Sequence, residues 1–190
     1  MLNQHINHMK YTFFIIFTML CFSQCVDTAT EKTTAVKSSK TEKAMDTGTH
    51  FKRTTLLVKD IDKSLTIYKD ILGFTVYSIT ESDADSYSYP VFRIPKEAKI
   101  RFATLNSPDQ IRTMALSEVK GIELPKQQQP IMNASVIRVK DIEGTMKKII
   151  DLGLEHTELK VDESESAGLF KEQSFIDFDG HLIVVYELIP

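Results

Sequence analysis

One strand–turn–helix unit, written twice, limits what this chain can fold into more than any other feature of it. Residues 53–73 read Arg-Thr-Thr-Leu-Leu-Val-Lys-Asp-Ile-Asp-Lys-Ser-Leu-Thr-Ile-Tyr-Lys-Asp-Ile-Leu-Gly, and Val139-Lys-Asp-Ile-Glu143 repeats Val58-Lys-Asp-Ile-Asp62. Thr54, Leu56 and Val58 alternate with Arg53, Thr55 and Leu57, the two-residue period of a half-buried strand. Asp60 stands where a helix start leaves its amides unbonded, and Asp62 places a second carboxylate at the positive end of the helix dipole. Ile61, Leu65, Tyr68 and Leu72 then recur at helical spacing. Gly73 supplies the left-handed residue that ends such a helix, and Leu152-Gly153 closes the second copy in the same way. The same turn chemistry set up twice points to a tandem duplication.

The segments after each helix extend the repeat. Residues 74–80 carry strand composition, 81–88 form a polar loop, and 89–95 suggest a short edge strand, since Pro90 and Pro95 exclude it from a sheet centre. Strands are expected over 99–105 and 111–119. Residues 120–130 connect the halves. In the second half, strands are expected over about 154–161, 169–176 and 181–188, with an acidic loop at 162–168 and a hairpin turn at Asp179-Gly180. Each half reads β-α-β-β-β.

The start of the chain is different material. Residues 11–22 form an apolar run too short to span a hydrocarbon core of ~30 Å comfortably, preceded by Lys10, which is the build of a secretory signal peptide over 1–25. Cys21 and Cys25 are the only two cysteines, so no thiol chemistry is available to the folded part. Cys25, just past the apolar run, resembles the lipid-modified cysteine of bacterial lipoproteins. Residues 26–50 are rich in Thr, Lys, Ser, Glu and Ala without periodicity and read as a solvated tether. The expectation is an exported protein, periplasmic or held at a bacterial membrane by its signal or lipid anchor alone. A formal charge of −3, from 23 basic and 26 acidic residues, gives no electrostatic footprint for nucleic acid.

Val58-Lys-Asp with Ser64, Tyr68 and Leu72-Gly73, the segments Phe92-Arg-Ile-Pro and Ile100-Arg-Phe-Ala, and Phe175-Ile-Asp-Phe-Asp-Gly-His181 together resemble the vicinal-oxygen-chelate superfamily. That group includes glyoxalase I, extradiol dioxygenases and the fosfomycin and bleomycin resistance proteins. The resemblance covers about residues 51–190. It implies an α+β fold of two tandem βαβββ modules, 51–120 and 131–190, whose sheets curl around a shared cavity with helices outside. It also makes a homodimer a reasonable expectation.

Members usually hold a divalent metal at four strand positions, which fall here on Arg53, Ala115, Ala134 and Val184. None of these side chains is a metal ligand, and Arg53 would repel a cation. Glu118, His181 and Glu187 are the remaining candidate ligands nearby, with Glu187 on the opposite face from Val184 and His181 at a turn. The expectation is therefore no metal, no cofactor and no catalytic residue. Counting alternate positions inward gives a ligand-binding set of Arg53, Thr55, Thr113, Ser117, Val136, Arg138, Val184 and Tyr186, an apolar lining with a few polar groups suited to a small, anionic organic molecule. Lys140, Lys147 and Lys148 read as a solvated helix face. Three functions stay open: a metal-free binding module, an enzyme of the superfamily (a lyase, isomerase or dioxygenase) with relocated metal ligands, and a structural domain with a filled cavity.

Overall fold

A computed structural model of the chain describes residues 49–165 and 168–190; the expected signal peptide, Cys25 and nearly all of the tether lie outside them. Residues 47–190 form one compact unit. Among the described residues, no helix is long and apolar enough to cross a membrane.

The first module runs β1 (Thr54–Val58), α1 (Ile61–Leu65, continued as a π-helical turn over Thr66–Ile71), β2 (Thr75–Glu81), α2 (Ser88–Val91), β3 (Lys99–Asn106) and β4 (Met114–Lys120). The second runs β5 (Ala134–Arg138), α3 (Ile142–Asp151), β6 (Lys160–Ser164), β7 (Gly168–Ile176) and β8 (Leu182–Leu188). Each forms a four-stranded mixed sheet, ordered β1-β4-β3-β2 and β5-β8-β7-β6, with β1 parallel to β4 and β5 parallel to β8. The fold is α+β, built from tandem βαβββ modules.

The duplicated turns behave alike. Asp60 and Asp141 adopt extended backbone and accept from Lys63 N and Gly144 N, so each caps its helix through the same side-chain oxygen. Glu118 Oε2 accepts from Ile61 N at 2.9 Å, and Glu187 Oε2 from Ile142 N at 2.7 Å. A carboxylate from each module's last strand thus completes the start of that module's helix. Gly73 and Gly153 end the two helices at φ 80° and 72°, which a side chain would oppose.

One core joins the modules. Leu56, Val58, Ile61, Tyr68 and Leu116 of the first pack with Ile142, Met146, Ile149, Ile183 and Val185 of the second. The π-helical turn serves this contact. Its sequence neighbours Ile67 and Tyr68 are both at 0% exposure.

Three local expectations are corrected. Residues 89–95 are not a strand: Ser88–Val91 make a short helix, which admits Pro90 in its first turn where the missing N–H costs nothing. The strand expected over 111–119 starts only at Met114, because Arg112 turns the chain at φ 50°. The strand expected at 154–161 is Lys160–Ser164 instead, with a single bridge from His156 to Phe175 before it, so much of the expected acidic loop is strand.

Candidate functional site

The two sheets present very different second faces. In the first module, Thr55 and Leu57 of β1 pair with Ala115 and Ser117 of β4, and Phe102 lies beside Ser117 on β3. The β2–β3 connection folds over this face: Tyr89, Ile94 and Phe92 pack on Ile100, Val119 and Leu57, and Phe92 stacks on Phe102 at 6.3 Å. Ser117 is left fully buried, its hydroxyl without a partner. Ser117 therefore has no access to a ligand in this arrangement, and Thr55 is half-buried beside it.

In the second module only three residues separate β6 from β7, and the corresponding face is more exposed. Val136 is 61% exposed and sits in register with Val184, while Leu182, Val184 and Tyr186 are half-buried. The difference in connection length decides which face stays open.

A crevice of about 920 Å³ lies between the modules. Four members of the expected ligand set line it: Thr113, Val136, Arg138 and Tyr186. Arg53, Thr55, Ser117 and Val184 do not. Ile71, Leu72 and Phe74 from the end of the first helix give it an apolar wall, and the β3–β4 turn at Ser107–Asp109 lines it too. Lys140 and Lys148 also line it, whereas Lys147 pairs with Asp151 at 2.7 Å on the outside. Spacing on a helix face could not reveal this, because the crevice wall comes from the other module.

The crevice's charges are three cations, Arg138, Lys140 and Lys148, and two carboxylates, Asp109 and Asp141. Both carboxylates are committed locally. Asp109 accepts from Ser107 Oγ at 2.7 Å, which with its own amide and the field of Arg138 holds its carboxyl below the usual range. Asp141 accepts from Gly144 N as the helix cap. Among the described residues, no carboxylate lies within ion-pair distance of Arg138, Lys140, Lys148 or Arg53.

The opposite junction, by contrast, is bridged by hydrogen bonds. Asp179 Oδ1 accepts from Lys59 N at 3.0 Å, and His181 Nε2 donates to Leu57 O at 2.9 Å, so this nitrogen carries the proton. Asp177 organises that hairpin: its Oδ1 accepts from Asp179 N and His181 N, and its Oδ2 accepts from Tyr68 Oη at 2.6 Å across the module boundary. Burial, and then the Asp177 charge, push the Tyr68 phenol well above its ordinary range. Burial likewise raises Asp179, against the Lys59 N hydrogen bond that lowers it.

The model of the Glyoxalase/Bleomycin resistance protein/Dioxygenase superfamily matches residues 50–185. The chain belongs to this superfamily. No curated protein sequence matches the chain. Among solved structures, a glyoxalase family protein from Bacillus cereus is similar at 15% identity, over 77% of this chain and 100% of that one, with a TM-score of 0.60. A glyoxylase/bleomycin resistance protein/dioxygenase domain from Frankia sp. EAN1pec matches at 16% identity, over 74% and 93% of the two chains, with a TM-score of 0.52. A mutant fosfomycin resistance protein from Listeria monocytogenes, complexed with Mn(II) and a dihydroxypropylphosphonic acid, matches at 16% identity, over 76% and 95%, with a TM-score of 0.50. These likenesses show the fold.

The superfamily resemblance places a divalent metal at four strand positions. Arg53, Ala115, Ala134 and Val184 offer no lone pair suited to it. Of the remaining candidates, Glu118 Oε2 and Glu187 Oε2 cap helix starts, and His181 Nε2 donates to Leu57 O, which leaves the ring's lone pair on Nδ1. Asp141, Glu143 and Glu187 do converge closely enough to hold an ion, and each also bonds a neighbour, Gly144 N, Lys171 and Ile142 N respectively.

Proposed function

We propose that this member of the superfamily is a metal-free binding module, exported and tethered through Cys25, that holds a small anionic organic molecule in the crevice between its modules. The observation that carries the reading is the surplus of positive charge in that crevice: among the described residues Arg138, Lys140 and Lys148 have no ion-pair partner, while both nearby carboxylates are hydrogen-bonded locally. An apolar wall with a few convergent polar groups is the usual build of a small-molecule site, and the volume lies within the roughly 300–1,000 Å³ such sites take. The lack of ligand-bearing side chains at Arg53, Ala115, Ala134 and Val184 supports binding without a metal.

Arg138 is the anchor in this reading. Its guanidinium can grip a carboxylate or phosphate in bidentate fashion, which a lysine cannot. A panel of small carboxylates and phosphates, scored by thermal shift and then by calorimetric titration, should yield a binder. Arg138→Ala should weaken that binder by roughly 1.5–3 kcal/mol, the scale of a hydrogen bond to a charged group, and Arg53→Ala should leave it unchanged. Equal loss in both variants, or no binder at all, would count against the crevice. Stoichiometric metal surviving dialysis of the purified chain would instead favour the enzyme reading with relocated ligands.

A homodimer belongs to the same proposal, since a second copy seated on the open face of Val136, Val184 and Leu188 would cover it. Sedimentation equilibrium distinguishes the two states.

A further inference from the structure

The two module junctions are copies of one another, and only one is closed. Aligned on Val58 and Val139, Leu57 corresponds to Arg138 and Lys59 to Lys140. Val139 N donates to Tyr186 O, so β5 uses Ile137 and Val139 to face β8. Successive residues of a strand direct their main-chain groups to opposite sides, so those of Val136, Arg138 and Lys140 point away from β8. β5 is the end strand of its sheet, and no strand of the described residues lies on that side. Those groups border the crevice, which Val136 to Asp141 line continuously.

The closed junction shows what chemistry such an edge takes. There the equivalent groups are satisfied by an acceptor on Lys59 N, from Asp179, and an N–H donor on Leu57 O, from His181. The β3–β4 turn, the counterpart of the sealing hairpin, stands back across the crevice with Asp109 bonded to Ser107 instead. A strand needs about 4.8 Å on each side, and pairing to a free edge supplies main-chain hydrogen bonds whatever the side chains are.

We propose that the crevice's ligand is peptide-like: a short extended segment bearing a carboxylate, which adds to β5 by donating an N–H to Arg138 O and accepting from Lys140 N, with its carboxylate beside Arg138 or Lys148. This rests on the binding-module reading and narrows it to molecules that carry an amide as well as an anion.

The test uses the full chain labelled with nitrogen-15 and three probes: N-acetyltrialanine as the free acid, its analogue methylated on the internal amide nitrogens, and propionate. With N-acetyltrialanine near saturation, the Lys140 amide should exchange with solvent at least tenfold more slowly, while the Lys59 amide, already bonded, does not change. The methylated analogue should bind at least tenfold more weakly. Equal binding of the methylated analogue would overturn the edge pairing. Protection of Lys140 by propionate alone would overturn it too, leaving anion binding at Arg138 intact. If no probe perturbs β5 while an Arg138-dependent anion is found, this inference fails and the binding module stands. Slowed exchange that grows with protein concentration, without any probe, would assign the edge to a second copy and overturn the proposal.

Discussion

Replacing Glu118 with alanine should cost about 3–5 kcal/mol of folding stability, the range for removing one partner of a buried ion pair. Glu118 is 3% exposed and answers to several groups at once: Ile61 N, Arg101 Nη2 at 3.0 Å and Lys120 Nζ at 3.2 Å. Arg101 lies directly across from it in the β3–β4 register and also reaches Asp62 at 2.8 Å on the first helical turn. Without the carboxylate, Ile61 N loses its acceptor, and Arg101, whose Nε is already buried without a partner, loses a counter-charge. Chemical denaturation measures the loss. Glu118→Gln keeps an acceptor near Ile61 N and should cost roughly half as much, within the ~1–3 kcal/mol of an unsatisfied buried group. Glu187→Ala, at the half-buried copy of the site, should cost less than Glu118→Ala. Near-equal effects of Glu118→Ala and a surface control would show that strand-to-helix capping is dispensable.

The second large effect lies at the module boundary. Asp177→Ala removes the acceptor for Tyr68 Oη, Asp179 N and His181 N together, and should destabilise by about 2–4 kcal/mol at the scale of an unpaired buried group plus a lost turn. Tyr68→Phe isolates the cross-module bond and should cost ~1–3 kcal/mol. The phenol also sets a pH dependence. Its folded pKa is raised, first by burial and then by the Asp177 charge. The unfolded chain therefore releases this proton first, and the stability tied to it is complete below the ordinary tyrosine range near ~10 and falls as pH rises above it. Alkaline denaturation of Tyr68→Phe should show a shallower decline above that range than the wild type does; parallel curves would place the titrating group elsewhere.

The sequence alone determined the repeat, and with it most of the fold. The cap, the apolar spacing and the terminal glycine are local physics: Asp60 and Asp141 bond amides three residues on, and Gly73 and Gly153 take conformations their neighbours cannot. Strand alternation also placed residues on the correct faces, since Leu56 and Val58 enter the core while Thr55 and Leu57 look the other way. The superfamily was legible for the same reason, being a pattern of such local signals in order.

Which faces would be free was not legible, because that depends on what folds back over them. Tyr89, Phe92 and Ile94 read as an edge strand, yet they bury Ser117 under a second small core. Lys140 and Lys148 read as a solvated face and are exposed, but that they also line a crevice with the first module's helix end and Ser107–Asp109 was not in the spacing. Glu118 and Glu187 looked like spare ligands until their strands set them against helix starts 57 and 45 residues away in sequence. Periodicity reports which side of an element a residue occupies; only long-range packing decides what stands on that side, and at β1 it is the Asp179–His181 hairpin, while at β5 it is open space.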